Sequence, residues 1–228
     1  MSFFKKASNK LYEWMYSAKN PVSSYHAYPK ILEVIDSGST ILDVGAGIGI
    51  YFTNPKVISL IKSKDLRIHC IDIDESAIES CKRRIDSADL QAHVTAECID
   101  VLKIDQEFDY ALFIMSYPVV PADIFSQYIM HLRLYIRKSM LFMHNLVEKK
   151  SRILAFIKSR LWMITGCDFG RLTSVDDMYK QLVDWGFGEY TIESILSAQY
   201  SDIIPMLGFI PKKLKCTQYL IKADLSCV

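Results

Sequence analysis

A short apolar strand that runs directly into a glycine-rich turn is the feature that most limits what this chain can fold into. Residues 40–44 have the composition of a buried strand, and Gly45, Gly47 and Gly49 follow it at alternate positions. Glycine reaches backbone conformations that other residues avoid, and a turn without Cβ atoms lets a ligand lie against the main chain. A helix after the turn would point its free N–H groups at that ligand. The turn therefore predicts a site for a nucleotide-like cofactor.

The spacing of the glycines separates two kinds of cofactor site. The dinucleotide fingerprint, G-x-G-x-x-G, requires a third glycine at position 50, where this chain has Ile50. Here the third glycine comes one residue earlier, and an acidic residue precedes the first. The segment resembles motif I of the class I S-adenosylmethionine-dependent methyltransferases, which is an acidic residue, one apolar residue and G-x-G-x-G. The resemblance implies S-adenosylmethionine as cofactor and S-adenosylhomocysteine as product. The implied cofactor-binding residues are Asp43, Gly45, Ala46, Gly47 and Gly49.

The next apolar run, residues 67–72, ends in the carboxylate of Asp72, about twenty residues beyond the glycine turn. A carboxylate at this place can accept hydrogen bonds from both vicinal hydroxyl groups of a ribose. A simple turn residue would fit the same position, but Asp74 is better placed to begin the helix that the following apolar spacing indicates. Asp72 is therefore the predicted ribose ligand, and the adjacent Ile73 is assigned to the same cofactor site.

Two further strands lead into residues that match the order of the family. Residues 93–98 precede Asp100 and Val101, and the resemblance implies that Asp100 hydrogen-bonds the adenine amino group while Val101 packs on the ring. A solvated loop aspartate is the alternative. Residues 108–115 are nearly all apolar, as expected of a central parallel strand. The family places the methyl-transfer site just after this strand. The residues assigned there are Met115 and Ser116, as cofactor contacts, and Tyr117, as a candidate catalytic residue.

Open α/β sheets bind substrates at the carboxyl ends of their strands, and this rule points to the end of the fifth predicted strand, residues 139–144, and to the residue after it. His144 is the candidate general base because imidazole titrates near neutral pH. An ordinary hydrogen-bonded loop histidine is the alternative. Asn145 beside it is a candidate substrate contact. Tyr25 and His26, in the N-terminal segment that could close over the cofactor, are the other substrate-binding candidates.

The chain alternates between strand and helix patterns from residue 38 onwards. This alternation predicts an α/β domain whose strands are mostly parallel. With the architecture of the family, the expectation for residues 38–228 is a seven-stranded mostly parallel sheet with helices on both faces and an antiparallel last strand. Residues 1–37 are expected to form a helical N-terminal cap, in which Pro29 starts a helix. Asn54 and Pro55 are expected to restart the helix after the glycine turn.

Composition limits the classes of function. The chain has 228 residues, 50% of them hydrophobic, and a formal net charge of +1, so it is neither disordered nor strongly basic. A nucleic-acid partner is therefore not expected. The start of the chain lacks the apolar core of a signal peptide, and no apolar run reaches the roughly 18 residues of a membrane span. The cysteines show no C-x-x-C pair. We expect a cytoplasmic protein with reduced thiols and no metal site.

One segment departs from this near-neutral balance. Residues 147–164 combine an apolar stripe with lysines and arginines elsewhere on the predicted helix, and an apolar loop at residues 203–211 ends next to further lysines. A basic amphipathic helix can lie on an anionic membrane surface, or it can act as a lid with its apolar side inward. Both interpretations stay open. They favour an acceptor of apolar or anionic character, and the first adds peripheral membrane contact.

These patterns predict an S-adenosylmethionine-dependent methyltransferase that modifies an oxygen or nitrogen of a small molecule. Methyl transfer from a sulfonium is a displacement, so the enzyme must hold nucleophile, methyl carbon and sulfur in line. Two alternatives remain. One is a methyltransferase-like protein that binds the cofactor or a partner without catalysis, and the other is a nicotinamide-dependent reductase.

Overall fold

The computed structural model of the chain describes residues 23–116, 120–146, 173–199 and 215–225. Sequence predictions for the first 22 residues, for Tyr117, for the basic segment 147–164 and for the apolar loop 203–211 lie outside these ranges. The described helices are α1 (Ser24–Val34), α2 (Pro55–Ser63), α3 (Glu75–Ser87), α4 (Ala122–Leu132) and α5 (Val175–Asp184). The strands are β1 (Thr40–Val44), β2 (Arg67–Asp72), β3 (Val94–Cys98), β4 (Phe108–Ile114), β5 (Ile136–Leu146), β6 (Glu189–Gln199) and β7 (Lys215–Asp224).

These strands form one seven-stranded sheet in the order β3-β2-β1-β4-β5-β7-β6. Strands β1 to β5 pair in parallel, and β7 lies between β5 and β6 and is antiparallel to both. The chain runs outward from β1 to β3 and then returns to the other side of β1 with β4. The carboxyl end of β1 is therefore the point where the strand order reverses, which is where open α/β sheets bind ligands. The predicted α/β class and antiparallel last strand are confirmed.

Apolar side chains cover both faces of the sheet. On one face α1, α2 and α3 bury residues such as Ile31, Val57 and Ile85. On the other face α4 and α5 bury Phe125 and Leu182. Successive residues of a strand point to opposite faces, so the strands between these layers contribute to both cores. Helices on both faces of the sheet are confirmed. No helix within the described ranges is both long and apolar enough to cross a membrane.

The helices after the first two strands begin where the sequence predicts. The chain leaves the glycine turn through a 3-10 turn at Ile50–Thr53, and α2 then begins at Pro55. Asn54 caps this helix, because its side chain accepts a hydrogen bond from the Lys56 N–H at 3.0 Å. Asp74 caps α3 in the same way. Both helices follow from local sequence signals.

The prediction that Pro29 starts a helix is wrong, because α1 begins at Ser24 and contains Pro29 in its interior. Proline has no N–H, so the carbonyl four residues earlier, on Tyr25, lacks its usual helical partner. The side-chain amide of Asn54 donates a hydrogen bond to this carbonyl at 2.8 Å. This contact explains how α1 accommodates an interior proline, and it ties α1 to the start of α2. The boundary between residues 37 and 38 stays a prediction.

Candidate active site

The glycine turn lies at the carboxyl end of β1, at the switch point of the sheet. The N–H groups of Gly45 and Ala46 both donate to the carbonyl of Ile71, at 2.8 and 3.1 Å. The three glycines have φ values of +72°, +55° and +63°, in the left-handed region. An open pocket lies against the turn. Its wall is formed by Ser24 from α1, the turn residues 45–49, Ile50, Tyr51 and Ile114.

Two of these glycines are also required by close packing. A Cβ atom added to Gly49 would lie 2.6 Å from Cys81 Sγ on α3 and 3.0 Å from the ring of Phe52. A Cβ atom on Gly45 would lie 3.1 Å from the Cβ atom of Ser116, which follows β4. The turn is therefore tightly packed between Ser116, which follows β4, and Cys81 on the helix α3. At the glycines themselves, a ligand in the pocket would meet main-chain atoms, because no Cβ atoms lie there.

Asp72 holds the turn from the end of β2. Its Oδ2 atom accepts a hydrogen bond from the Gly47 N–H at 2.8 Å, and its Oδ1 atom accepts one from the Asp74 N–H at 3.0 Å. A carboxylate oxygen has two lone pairs, so Asp72 can anchor the turn and still accept hydrogen bonds from ligand hydroxyls. The adjacent Ile73 is 74% exposed. An apolar side chain so exposed next to the site can cover the flat face of a ligand ring.

Asp43 lies in β1 below the turn and is fully buried. The hydroxyl of Tyr28 on α1 donates to its Oδ2 atom at 3.0 Å, and the hydroxyl of Tyr51 donates to the same oxygen. The two tyrosine rings are stacked, with their centroids 3.8 Å apart. The pKa of Asp43 is raised to about 6, because burial and, to a smaller extent, the charge of Asp72 outweigh the lowering effect of the two hydrogen bonds. Within the described residues the Oδ1 atom of Asp43 is buried without a hydrogen-bond partner.

Asp100 and Val101 follow β3 and have local roles. Asp100 caps a 3-10 turn at Val101–Lys103, because its Oδ1 atom accepts from the Leu102 N–H at 2.9 Å. Val101 is buried in the core on the side of α4, whereas Leu102 is 44% exposed. A cofactor contact from Asp100 would use its remaining lone pairs, and the predicted contact of Val101 with an adenine ring stays a prediction.

The carboxyl ends of β4 and β5 meet beside the glycine turn. Met115 has an unusual φ of +59°, and its N–H donates to the carbonyl of Met143 on β5 at 3.0 Å. Ser116 directly follows Met115, and Asn145 lies two residues beyond Met143. The Oγ atom of Ser116 and the Oδ1 atom of Asn145 are buried and have no hydrogen-bond partner in the described part of the chain. These two atoms are candidates for hydrogen bonds with a ligand.

His144 and Asn145 are neighbours in β5, and their side chains therefore point to opposite faces of the sheet. Met143 belongs to the core under α1 to α3, and Phe142 belongs to the core under α4 and α5. The alternation puts Asn145 on the face of Asp43 and puts His144 on the other face. His144 is only 2% exposed. The structure does not bring the candidate base and the candidate substrate contact to one face.

The N-terminal helix contributes to the site through residues that the sequence analysis missed. The predicted residues Tyr25 and His26 lie in its first turn, with their rings edge to face and 5.2 Å between centroids. The residues that reach the pocket and Asp43 are instead Ser24 and Tyr28. Their i, i+4 spacing puts them on one helix face, which is a detectable signal once the helix is known to start at Ser24. Within the described ranges no group of His, Cys, Asp and Glu side chains is arranged to hold a metal ion.

Comparison with solved structures agrees with this architecture. Magnesium protoporphyrin IX methyltransferase ChlM from Synechocystis PCC 6803, with bound S-adenosylhomocysteine, matches with a TM-score of 0.58 and 15% identity, over 98% of this chain and 88% of that one. The mitomycin 7-O-methyltransferase MmcR matches with a TM-score of 0.60 and 14% identity, over 88% of this chain. The chain has the class I methyltransferase fold. It spans about half of MmcR, 54% of that chain.

Similarity at this level of identity shows the fold and not the reaction. The [4+2]-cyclase SpnF matches with a TM-score of 0.57 and 12% identity, over 91% of this chain and 86% of that one, although its name describes a different reaction. The sequence matches no protein-family model and no curated protein. The resemblance recognised in the sequence is thus confirmed as a fold, and the roles of individual residues stay predictions.

Proposed function

We propose that this protein is an S-adenosylmethionine-dependent methyltransferase that acts on an oxygen or nitrogen of a small-molecule acceptor. The observation that carries the proposal is the glycine turn at the switch point of the sheet, held by a hydrogen bond from Gly47 to Asp72. The fold supports it, because solved structures of methyltransferases share the fold and one of them contains S-adenosylhomocysteine. The partners we propose are the cofactor and this acceptor.

The residues present fit such a cofactor at three points. A pocket lies against the main chain of the glycine turn, and the buried Oδ1 atom of Asp43 lacks a hydrogen-bond donor within the described residues. Asp72 retains lone pairs for ribose hydroxyls, and the exposed Ile73 can cover an adenine ring. We assign Asp100 and Val101 to the same adenine site. When bound, the cofactor supplies an electrophilic methyl group on its sulfonium.

On the acceptor side we assign hydrogen-bonding roles to Ser116 and Asn145. Their buried oxygens can accept hydrogen bonds from a hydroxyl or amino group of the acceptor, which would fix the nucleophile in line with the methyl group. His144 stays the candidate base for the acceptor proton, and Tyr117, outside the described ranges, stays the other candidate catalytic residue. Tyr25 and His26 on α1 stay candidates for contacts with the acceptor.

Calorimetric titration with S-adenosylhomocysteine, beside NAD⁺ and NADPH, tests the cofactor. We expect micromolar binding of S-adenosylhomocysteine to the wild type and at least a tenfold loss of affinity, about 1.4 kcal/mol, in Asp72→Ala. Asp109→Ala is the matched control. Asp109 accepts hydrogen bonds from the N–H and Oγ1 of Thr40 at the opposite edge of the sheet, at 2.9 and 3.1 Å. The control should therefore lose stability and keep its affinity.

The possible outcomes separate the alternatives. If the protein binds a nicotinamide nucleotide but does not bind S-adenosylhomocysteine, the reductase is favoured and the proposal is overturned. Binding of none of the three ligands would favour a protein without this cofactor. If S-adenosylhomocysteine binds, a pooled screen of acceptors with S-adenosylmethionine, read out as release of S-adenosylhomocysteine, distinguishes a methyltransferase from a protein that binds the cofactor without methyl transfer.

A further inference from the structure

The middle of the glycine turn is held by two side chains of opposite charge. Main-chain hydrogen bonds fix the start of the turn and close it on itself, but within the described residues none of them reaches Gly47 or Ile48. The N–H of Gly47 instead donates to the Asp72 carboxylate at 2.8 Å. The carbonyl of Ile48 accepts a hydrogen bond at 2.9 Å from the guanidinium group of Arg84 on α3. The two contacts hold consecutive residues of the turn.

Arg84 is placed for this contact by the packing of α3 against the turn. Cys81 lies three residues earlier on the same face of α3, and its Sγ atom is 2.6 Å from where a Cβ atom on Gly49 would be. The helix therefore contacts the turn at two consecutive residues. Arg84 also donates to the carbonyl of Ser80 at 3.1 Å. No carboxylate in the described part of the chain pairs with Arg84, and its charge strengthens the hydrogen bonds to these carbonyls.

This contact matters because glycine leaves the turn many conformations. Three glycines lie within five residues, and a ligand loses affinity when it must order a loose segment as it binds. Ile48 lies between two of these glycines and lines the pocket. A hydrogen bond to its carbonyl fixes the orientation of the peptide group between Ile48 and Gly49. The pocket wall then has its shape before any ligand binds.

We propose, on the basis of the proposed function, that Arg84 is a positioning residue for cofactor binding. Through the carbonyl of Ile48 it orders the glycine turn in the protein without ligand, and it does not itself contact the cofactor. Asp72 combines two roles, as acceptor for the N–H of Gly47 and as proposed ribose ligand. Arg84 has only the role of ordering the turn, so its variants measure the contribution of that order to binding.

Calorimetric titration with S-adenosylhomocysteine compares the wild type with three variants. Arg84→Met keeps a long side chain that favours helices but removes the hydrogen bond, and its affinity should fall by about fivefold or more. Arg84→Lys keeps a charged donor and should recover most of this loss. Circular dichroism checks that each variant folds.

Arg83→Met is the matched control, because Arg83 is the neighbouring cation on the same helix. Its side chain is 68% exposed, lies 3.9 Å from the Glu79 carboxylate and donates to the Ser80 hydroxyl at 2.8 Å. Loss of these contacts leaves the hydrogen bond to Ile48 intact. The affinity of this variant for S-adenosylhomocysteine should therefore stay within twofold of the wild type.

Hydrogen exchange of the protein without ligand adds a readout that a general loss of stability would not reproduce. In Arg84→Met the amides of residues 46–49 should exchange about threefold faster or more, while the amides of α4 and α5 keep their wild-type rates. In Arg83→Met the amides of the turn should also keep their rates. Saturation of Arg84→Met with S-adenosylhomocysteine should restore the rates of the liganded wild type, because the ligand then orders the turn.

Three results would overturn the inference. They are wild-type affinity in Arg84→Met, equal losses of affinity in Arg84→Met and Arg83→Met, and unchanged exchange of the turn in Arg84→Met. The second would show an effect of helix charge rather than of the contact with Ile48. If the wild type does not bind S-adenosylhomocysteine, the proposed function fails. The exchange comparison needs no ligand, and it would then decide separately whether Arg84 orders the turn.

Discussion

The two edges of the central sheet both carry polar side chains, but they use them differently. At the amino edge the polar groups satisfy one another. Asp109 accepts hydrogen bonds from the N–H and the hydroxyl of Thr40, and Asp36 accepts from the Tyr110 hydroxyl and the Lys138 ammonium, both at 2.8 Å. These contacts tie the starts of β1, β4 and β5 to each other and to the segment after α1. In these contacts protein donors and acceptors pair with one another, so none of the hydrogen bonds requires a ligand.

At the carboxyl edge buried polar atoms are left without partners. Within the described residues these atoms include Oδ1 of Asp43, Oγ of Ser116 and Oδ1 of Asn145. The hydroxyl of Ser39, just before β1, is an exception at the amino edge. Unsatisfied buried acceptors lower stability, so a fold keeps a group of them only where something else can supply the donors. The contrast favours the carboxyl edge as the binding edge, independently of any relative.

Two glycines, one at each edge, offer the largest test of this contrast. Gly38, before β1, has φ +74° and nothing within 4 Å of an added Cβ, whereas Gly49 has φ +63° and Cys81 Sγ at 2.6 Å. Gly38→Ala should lower the free energy of unfolding by about 1 kcal/mol, from backbone strain alone. Gly49→Ala adds overpacking and should cost about 3 kcal/mol.

Urea unfolding of both glycine variants measures the difference. A third variant, Gly49→Ala with Cys81→Ala, removes the nearest clashing atom and should recover part of the loss, although the positive φ and the contact with Phe52 remain. If both single variants lost the same free energy of unfolding, the tight packing of the turn would contribute nothing to stability. The contrast between the edges would then rest on hydrogen bonds alone.

Lys64, after α2, tests the amino edge. Its ammonium group donates to the carbonyls of Leu32, Glu33 and Ile35, at 2.9, 2.9 and 2.7 Å, and so closes the carboxyl end of α1. Lys64→Met keeps the length and apolar part of the side chain and removes all three bonds. We expect a loss of about 2 kcal/mol in the free energy of unfolding, measured by urea unfolding. The affinity for S-adenosylhomocysteine should stay within twofold, since the other end of α1 faces the pocket. A large loss of affinity would contradict the separation of the two edges.

The features of this site that could be predicted from the sequence are those that depend on local signals. The glycine turn, the caps Asn54 and Asp74 and the carboxylate at the end of β2 are all read from residues within a few positions of one another. The contact of Tyr28 with Asp43 joins residues 15 positions apart on different elements. It exists only because α1 packs on the face of the sheet to which Asp43 points, and no sequence pattern records that packing.

Boundaries were harder to predict than elements, for a physical reason. β5 was expected over residues 139–144 and extends over Ile136–Leu146. Near its start the strand has the polar residues Arg137 and Lys138, and near its end it has Asn145. From the local sequence alone, such residues are typical of loops. In the sheet, Asn145 pairs with Gln218 of the antiparallel strand β7. The partner strand, which lies far along the chain, stabilises extended backbone where the local sequence does not favour it.

Asp74 offers the smallest and sharpest test, because it lies at the binding edge only two residues from Asp72 but has a structural role. Its Oδ1 atom accepts hydrogen bonds from the N–H groups of Ser76 and Ala77, at 2.9 and 3.2 Å, and so caps α3. Asp74→Ala should lower the free energy of unfolding by about 1 kcal/mol, the usual cost of a lost cap. Asp72 would still receive its hydrogen bond, because that bond comes from the main-chain N–H of residue 74. Titration should therefore give an unchanged affinity for S-adenosylhomocysteine, in contrast to Asp72→Ala. Equal losses of affinity in the two variants would contradict this expectation. They would mean that a residue affects binding through its place at the edge, and not through the hydrogen bonds that its carboxylate can still accept.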